Sequence, residues 1–165
     1  MTKDNVERIR RLKQEVIDLG RDPKDYRYDL NTQNAYRIEH TKLGSFAYVL
    51  VNDKQYGKEA RVDLDCFYTK RVYSFRWNRS HSDPRKDYPH TNTYDSTGKR
   101  VNLQMHALVM GTIDGKVIDH NDGDHYNASR SNLNHVTTAQ NNQNRHSNLA
   151  SSKRKVPIQY VSLFA

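Results

Sequence analysis

Val117-Ile118-Asp119-His120-Asn121-Asp122-Gly123-Asp124 is the stretch on which the reading of this chain turns. Ser131-Asn132-Leu133 follows it, and then Thr138-Ala139-Gln140-Asn141-Asn142-Gln143-Asn144-Arg145. The run through Asp119-His120 reads as the end of a strand, where neighbouring side chains point to opposite sides and cannot both face one atom. One is then expected to hold a cation while the other faces a water molecule. His120 is the natural base, because imidazole is the side chain whose ordinary pKa lies near neutrality. Asn132, twelve residues beyond His120, sits where a loop asparagine can fasten loop and strand by hydrogen bonds. Thr137 or Thr138 is a good N-cap for a helix over about 139–149, which puts Asn141 and Arg145 one turn apart on one face. Asn141 would offer an amide oxygen to the cation, beside Asp119, and Arg145 a guanidinium to a phosphate.

Composition points the same way. The 165 residues carry 27 Lys and Arg against 19 Asp and Glu, a formal charge of +8, and the pI is about 9.6. Such a chain suits a polyanionic partner. From Cys66 to Arg100 there are eight basic residues against three aspartates, whereas Asp114–Asp124 holds four aspartates and one lysine. Solvated charge explains the total, but an acidic island in a basic chain suits a cation held beside a phosphate. A hydrophobic fraction of 35% and a mean hydropathy of −1.03 imply one modest domain with arms. No apolar run is long enough for a membrane span, and Met1-Thr2-Lys3-Asp4 leads into a charged helix rather than a signal peptide. A cytoplasmic protein of a bacterial or phage-infected cell is expected. Cys66 is the only cysteine, so no internal disulfide, disulfide-linked partner or thiolate zinc site is expected.

Along the chain, Val6, Ile9, Leu12, Val16 and Leu19 form a helical stripe over Asn5–Leu19, with Asp4 or Asn5 as cap and Gly20 as stop. This amphipathic helix is read as packing on the body or on a partner, with a direct DNA contact as the alternative. The stretch from Arg21 to Gly44 lacks periodicity and reads as a linker, so residues 1–44 form an N-terminal helix and linker. Phe46–Val51, a turn at Asn52–Gly57 and alternating Ala60, Val62 and Leu64 give a hairpin. Phe67, Val72, Tyr73, Phe75 and Trp77 supply bulk. A second hairpin is Thr91–Tyr94, the turn Asp95–Gly98, and Arg100–Met105. A short apolar segment, His106–Met110, ends at Gly111. The hairpin region and the motif-bearing unit together span 45–149, and 150–165 is a basic tail.

These residues resemble the HNH nucleases with their ββα-metal site, and most closely the phage and intron-borne HNH homing endonucleases. The resemblance is carried by Val117–Gly123, Asn132-Leu133 and the Asn-rich segment after Thr138, over a motif core of 106–145. It implies an α+β fold, with antiparallel β-hairpins and an N-terminal amphipathic helix placed before an HNH core. It implies Asp119 and Asn141 as metal ligands, His120 as general base and Asn132 as the structural asparagine of the site. His106 matches the family's His-Arg-Leu-Val segment, with Ala107 where arginine is frequent. The function implied is a metal-dependent DNA endonuclease or nickase leaving 5′-phosphate and 3′-hydroxyl ends.

Two other readings bear on the same residues. An EF-hand loop needs glycine sixth from the first aspartate, whereas Gly123 is fifth from Asp119, and no helix precedes it. The second is a catalytically inactive DNA-binding protein built on a degenerate HNH fold, since fold alone never establishes activity. Carboxylate plus amide oxygen favours Mg²⁺ or Mn²⁺ over Zn²⁺. Double-stranded DNA is the expected partner, held by Lys99, Arg100, Arg145, Lys153, Arg154 and Lys155 mainly through phosphates. His81, His90, His125, His135 and His146 are read as ordinary surface or core histidines. Target sequence, nicking against double-strand cutting and intron-encoded against freestanding origin are not written in one sequence, nor is oligomeric state, for which a monomer is the working expectation.

Overall fold

In the computed structural model, which describes residues 1–29, 31–51, 57–80, 83 and 85–143, the N-terminal stripe forms α1 (Lys3–Asp18). Its cap is Thr2 rather than Asp4 or Asn5. Thr2 has extended backbone, and its hydroxyl accepts from the Asn5 amide at 3.2 Å, the geometry an N-cap requires. Leu12 and Val16 are fully buried, whereas Val6 is exposed. Val16 packs with Tyr26, Ala35 and Leu50. Polar ties hold the rest: Arg8 donates to the Thr32 and Asp29 carbonyls, and Arg76 pairs with Glu15 at 2.7 Å. The helix therefore belongs to the body of the protein.

The segment read as a linker contains a strand, β1 (Tyr36–Thr41). It pairs antiparallel with β2 (Gly44–Val51), which pairs antiparallel with β3 (Lys58–Asp63) in the order β1-β2-β3. β1 is an edge strand whose single buried residue is Tyr36, so it lacks the alternating apolar signal that marks a half-buried strand. Arg37 holds it to β3 through Glu59 at 2.6 Å. The chain then turns helical at Leu64, read from sequence as strand. The short helix α2 (Leu64–Thr69) buries Cys66 and Phe67.

A second sheet has the order β4-β5-β6, from β4 (Asn78–Arg79), β5 (Pro89–Tyr94) and β6 (Arg100–Gln104). The β5–β6 turn is held by Asp95, whose carboxylate accepts from the Thr97 and Lys99 amides at 2.9 and 3.0 Å. Gly98 takes the positive φ of +84° that this turn needs. Met105 opens a helix rather than closing β6: α3 (Met105–Met110) ends at Gly111, φ +71°. The third sheet pairs β7 (Val117–His120) with β8 (Leu133–Val136) antiparallel, and a helix α4 covers 138–143. Val62, Phe67, Trp77, Met105, Val109, Tyr126 and Leu133 share one buried cluster, so the three sheets of this α+β fold stand on a common core. Among the described residues, no helix is long and apolar enough to cross a membrane.

Candidate active site

β7 and β8 align Asp119 opposite Asn134 and His120 opposite Leu133. Because successive strand residues alternate, Asp119 and Asn134 share one face while His120 turns to the other. The connection between the strands is organised by Asn132. Its side-chain oxygen accepts from the Asp122 amide at 3.0 Å. Its Nδ2 donates to Asp122 Oδ1 and to the Asn127 carbonyl, each at 2.9 Å. Asp122 also accepts from Asn127 Nδ2 at 3.0 Å and from the Asp124 amide at 2.8 Å, and Asp124 accepts from the Tyr126 amide at 2.9 Å. Two carboxylates of the acidic island are thus turned onto the loop's own donors. Asp119 is the aspartate of that island that is buried, at 9% exposure.

The loop is stitched to the first sheet. Arg61 donates its amide to the Tyr126 carbonyl and receives the Ala128 amide, both at 2.8 Å. Asp63 accepts from the Arg130 amide and Asp65 from its guanidinium, both at 2.7 Å. On the far side, the Tyr126 hydroxyl donates to Asp87 at 2.6 Å. Asp87, 1% exposed, also receives Lys58 at 3.0 Å and Arg79 at 2.8 Å. Burial alone would raise its carboxyl, but the Tyr126 hydroxyl and the two cations outweigh that and hold it below the usual carboxylate range.

His120 faces a cluster of rings. It is 4% exposed, and its Nε2 is buried with no hydrogen-bond partner among the described residues. His106 lies edge-on to it, with centroids 4.8 Å apart, and is 6% exposed with an unpartnered Nδ1. His125 stands 5.3 Å from His120 and stacks on Tyr88 at 4.1 Å and 11°. His125 Nδ1 lies 3.1 Å from the Asp87 carbonyl; a carbonyl can only accept, so that nitrogen carries the proton. Burial, followed by the neighbouring His106 and His125, pushes the His120 pKa down to about 2. Burial, followed by His125, brings His106 down to about 4. Both rings are neutral at neutral pH.

Asn141 lies in the first turn of α4. Thr137 and Gln140 cap that helix reciprocally: the Thr137 hydroxyl accepts from the Gln140 amide at 3.1 Å, and the Gln140 side chain accepts from the Thr137 amide at 2.9 Å. The Asn141 amide donates to the Thr137 carbonyl at 2.9 Å. Asn141 is half-buried on a helix entered directly from β8, the strand that carries Asn134 opposite Asp119. Lys99 and Arg100 are exposed at the β5–β6 turn. Arg145, Lys153, Arg154 and Lys155 lie outside the described residues.

Sequence reasoning read His125 as an ordinary surface or core histidine and passed over Tyr88 and Asp87. Their one signal was proximity: His125 is five residues after His120 in a short loop, close enough to fold back. Tyr88 and Asp87 join the site only through long-range pairing, with Ser80 donating to the Tyr88 carbonyl at 3.2 Å beside the β4–β5 ladder. Comparison with protein-family profiles, with curated proteins and with solved structures found no match to this chain.

Proposed function

We propose that this chain is a metal-dependent DNA endonuclease of the HNH type, with Asp119 and Asn141 as metal ligands, His120 as general base and Asn132 as the residue that fixes the loop between them. The observation that carries the reading is His120 Nε2: a buried, neutral ring nitrogen with no partner among the described residues, at the end of a strand whose neighbouring residue is a buried carboxylate. A base needs its imidazole uncharged and a ring nitrogen free to take a proton. The donor set fits Mg²⁺ or Mn²⁺, because carboxylate and amide oxygens are hard ligands and Mg²⁺ is ordinarily held by few protein groups together with water and substrate phosphate. When bound, such an ion would neutralise charge building on a phosphate and its leaving oxygen.

The chain's own residues supply the rest. The His120 ring takes a proton from a water lying in its plane, and the arriving anionic phosphate raises the ring's basicity by stabilising the imidazolium. Asn132 holds Asp122 and Asn127 so that the β7–β8 turn keeps one shape. Arg145, four residues beyond Asn141 in sequence, is assigned to the scissile phosphate, Lys99, Lys153, Arg154 and Lys155 to phosphates further along the duplex, and Arg100 to the duplex beside Lys99.

A DNA-binding protein that has lost cutting is the second reading, favoured by the depth of His120: a ring held near pKa 2 is a poor base until substrate changes its surroundings. Incubation of the purified chain with supercoiled plasmid, in Mg²⁺ or in EDTA, separates the two. Nicked or linear product in Mg²⁺ alone, with 5′-phosphate ends, supports the nuclease. Retained, uncut DNA in both supports the inactive binder.

A further inference from the structure

The outward face of the β5–β6 ribbon is the feature that neither the fold nor the histidine cluster explains. Register places His90 opposite Gln104, Asn92 opposite Asn102 and Tyr94 opposite Arg100, so these six side chains share one face. Asn102 Nδ2 lies 3.1 Å from His90 Nδ1, which fixes them on the same side. β4 adds Asn78 beside His90. The opposite face carries Thr91, which is buried, and Leu103, which packs on the core. The ribbon is thus inserted by one side and open on the other, with Asn92, Tyr94, Arg100 and Asn102 exposed.

The composition of that open face is unusual for a solvated sheet. It holds amides, an imidazole, a phenol and a guanidinium, and no carboxylate or aliphatic side chain. A face that serves solubility alone would mix acids with lysines. Amides and guanidinium are instead the groups that match base edges in a major groove: Asn or Gln to adenine, Arg to guanine. A two-stranded ribbon fits that groove, and five residues of strand span about four base-pair steps. Asp95, which follows Tyr94 in the chain, is occupied by the turn amides of Thr97 and Lys99.

The face also leads to the candidate site. Tyr88, two residues before His90, and His106, two residues after Gln104, both meet the His120 ring, at 5.9 and 4.8 Å between centroids. We infer that the outward face of the β5–β6 ribbon reads base edges in the major groove of duplex DNA, with Asn92, Asn102 and Arg100 as its principal readers. The inference rests on the proposal that duplex DNA is the partner, but not on the chain being able to cut it. Duplex RNA is disfavoured as the occupant because its major groove is too deep and narrow to admit a ribbon.

The test is selection of bound sequences by the full chain, in EDTA so that binding is separated from cutting, from duplex DNA with a randomised central segment. Wild type should enrich a short sequence. The Asn92→Ala/Asn102→Ala variant and the Arg100→Lys variant should each lose preference at one or two positions of it by roughly 10- to 100-fold, the worth of a bidentate base contact. Both should keep wild-type melting temperature and bind an unselected duplex within a few-fold. The inference is overturned if wild type enriches nothing, if both variants recover the wild-type sequence, or if duplex RNA competes as well as DNA. Enrichment without plasmid cutting would sink the nuclease alone, and cutting without enrichment would sink the ribbon alone.

Discussion

In the loop between β7 and β8, Asp122, Asp124, Asn127 and Asn132 spend their side chains on one another and on backbone amides. One residue upstream, His120 keeps a buried nitrogen with no partner among the described residues, and His106 beside it does the same. The two regions adjoin but differ in kind, although the loop too keeps one buried side-chain oxygen, Asn121 Oδ1, without a partner among the described residues. A satisfied polar network fixes a single conformation. An unsatisfied buried donor or acceptor costs about 1–3 kcal/mol, and its persistence is the mark of a group kept for something outside the folded chain. Within a few residues, the loop's rigidity offsets the cost of the strand end's open valence.

The sharpest way to break that contrast is to remove the open nitrogen. His120→Ala should lower single-turnover cutting by roughly 10²–10⁴ while DNA binding stays within a few-fold. A variant that cuts at the wild-type rate at neutral pH removes His120 from the chemistry. Asp119→Ala and Asn141→Ala should each shift the Mg²⁺ titration of cutting upward, and activity that persists unchanged in EDTA would dismiss both as ligands.

The same histidines should make the fold acid-labile. Both rings sit below their ordinary pKa of 6.5, at about 2 and about 4. Between those values and 6.5 the unfolded chain binds more protons than the folded one. Stability is therefore complete above about pH 6.5 and falls as pH drops toward 4, by up to about 1.4 kcal/mol per pH unit for each ring. Urea melts at a series of pH values check this, and the His106→Asn/His120→Asn variant should flatten the acid limb. An acid limb equally steep in the variant would place its cause elsewhere.

On the loop side, Asn132→Ala should destabilise by about 2–3 kcal/mol, because it takes from the Asp122 amide and the Asn127 carbonyl the partners that the Asn132 side chain supplies. Asn132→Asp should do no better, since it sets a carboxylate against Asp122 Oδ1, now 2.9 Å from Asn132 Nδ2. Thermal melts decide both. The smallest effect is expected at the α4 cap: Thr137→Ala should cost about 1 kcal/mol, with cutting reduced only as far as Asn141 is loosened.

Hairpin β5–β6 was legible because its turn and alternation are local, and β2–β3 because of its alternation, its expected turn at 52–56 lying outside the described residues. So was the helix after Thr137, whose cap and amide-rich first turn stand in one short stretch. β1 was not, since it lies along an edge and its one buried residue is Tyr36. The ends of β3 and β6 were overrun into Leu64 and Met105, because apolar alternation cannot tell a strand's last residue from the first buried residue of a helix. In the candidate site, Asp119 and His120 were visible as a local motif. His125, Tyr88 and Asp87 were not, because their company is made by contacts 38 and 39 residues apart, which no local pattern encodes.

The stitching of the loop to β3 has a thermal consequence. Arg130 reaches Asp63 and Asp65 across 67 and 65 residues of chain, and Tyr126, at the other end of the stitch, belongs to the same buried core as Val62 and Trp77. Local opening of a surface loop ordinarily needs far less energy than unfolding the domain. This loop is denied that freedom, because releasing it means lifting Tyr126 out of the core. The amide hydrogens of Asn121, Gly123 and Ala128 should therefore exchange with solvent only as fast as the core strands do, and the candidate site should vanish on heating in one step with the fold rather than ahead of it.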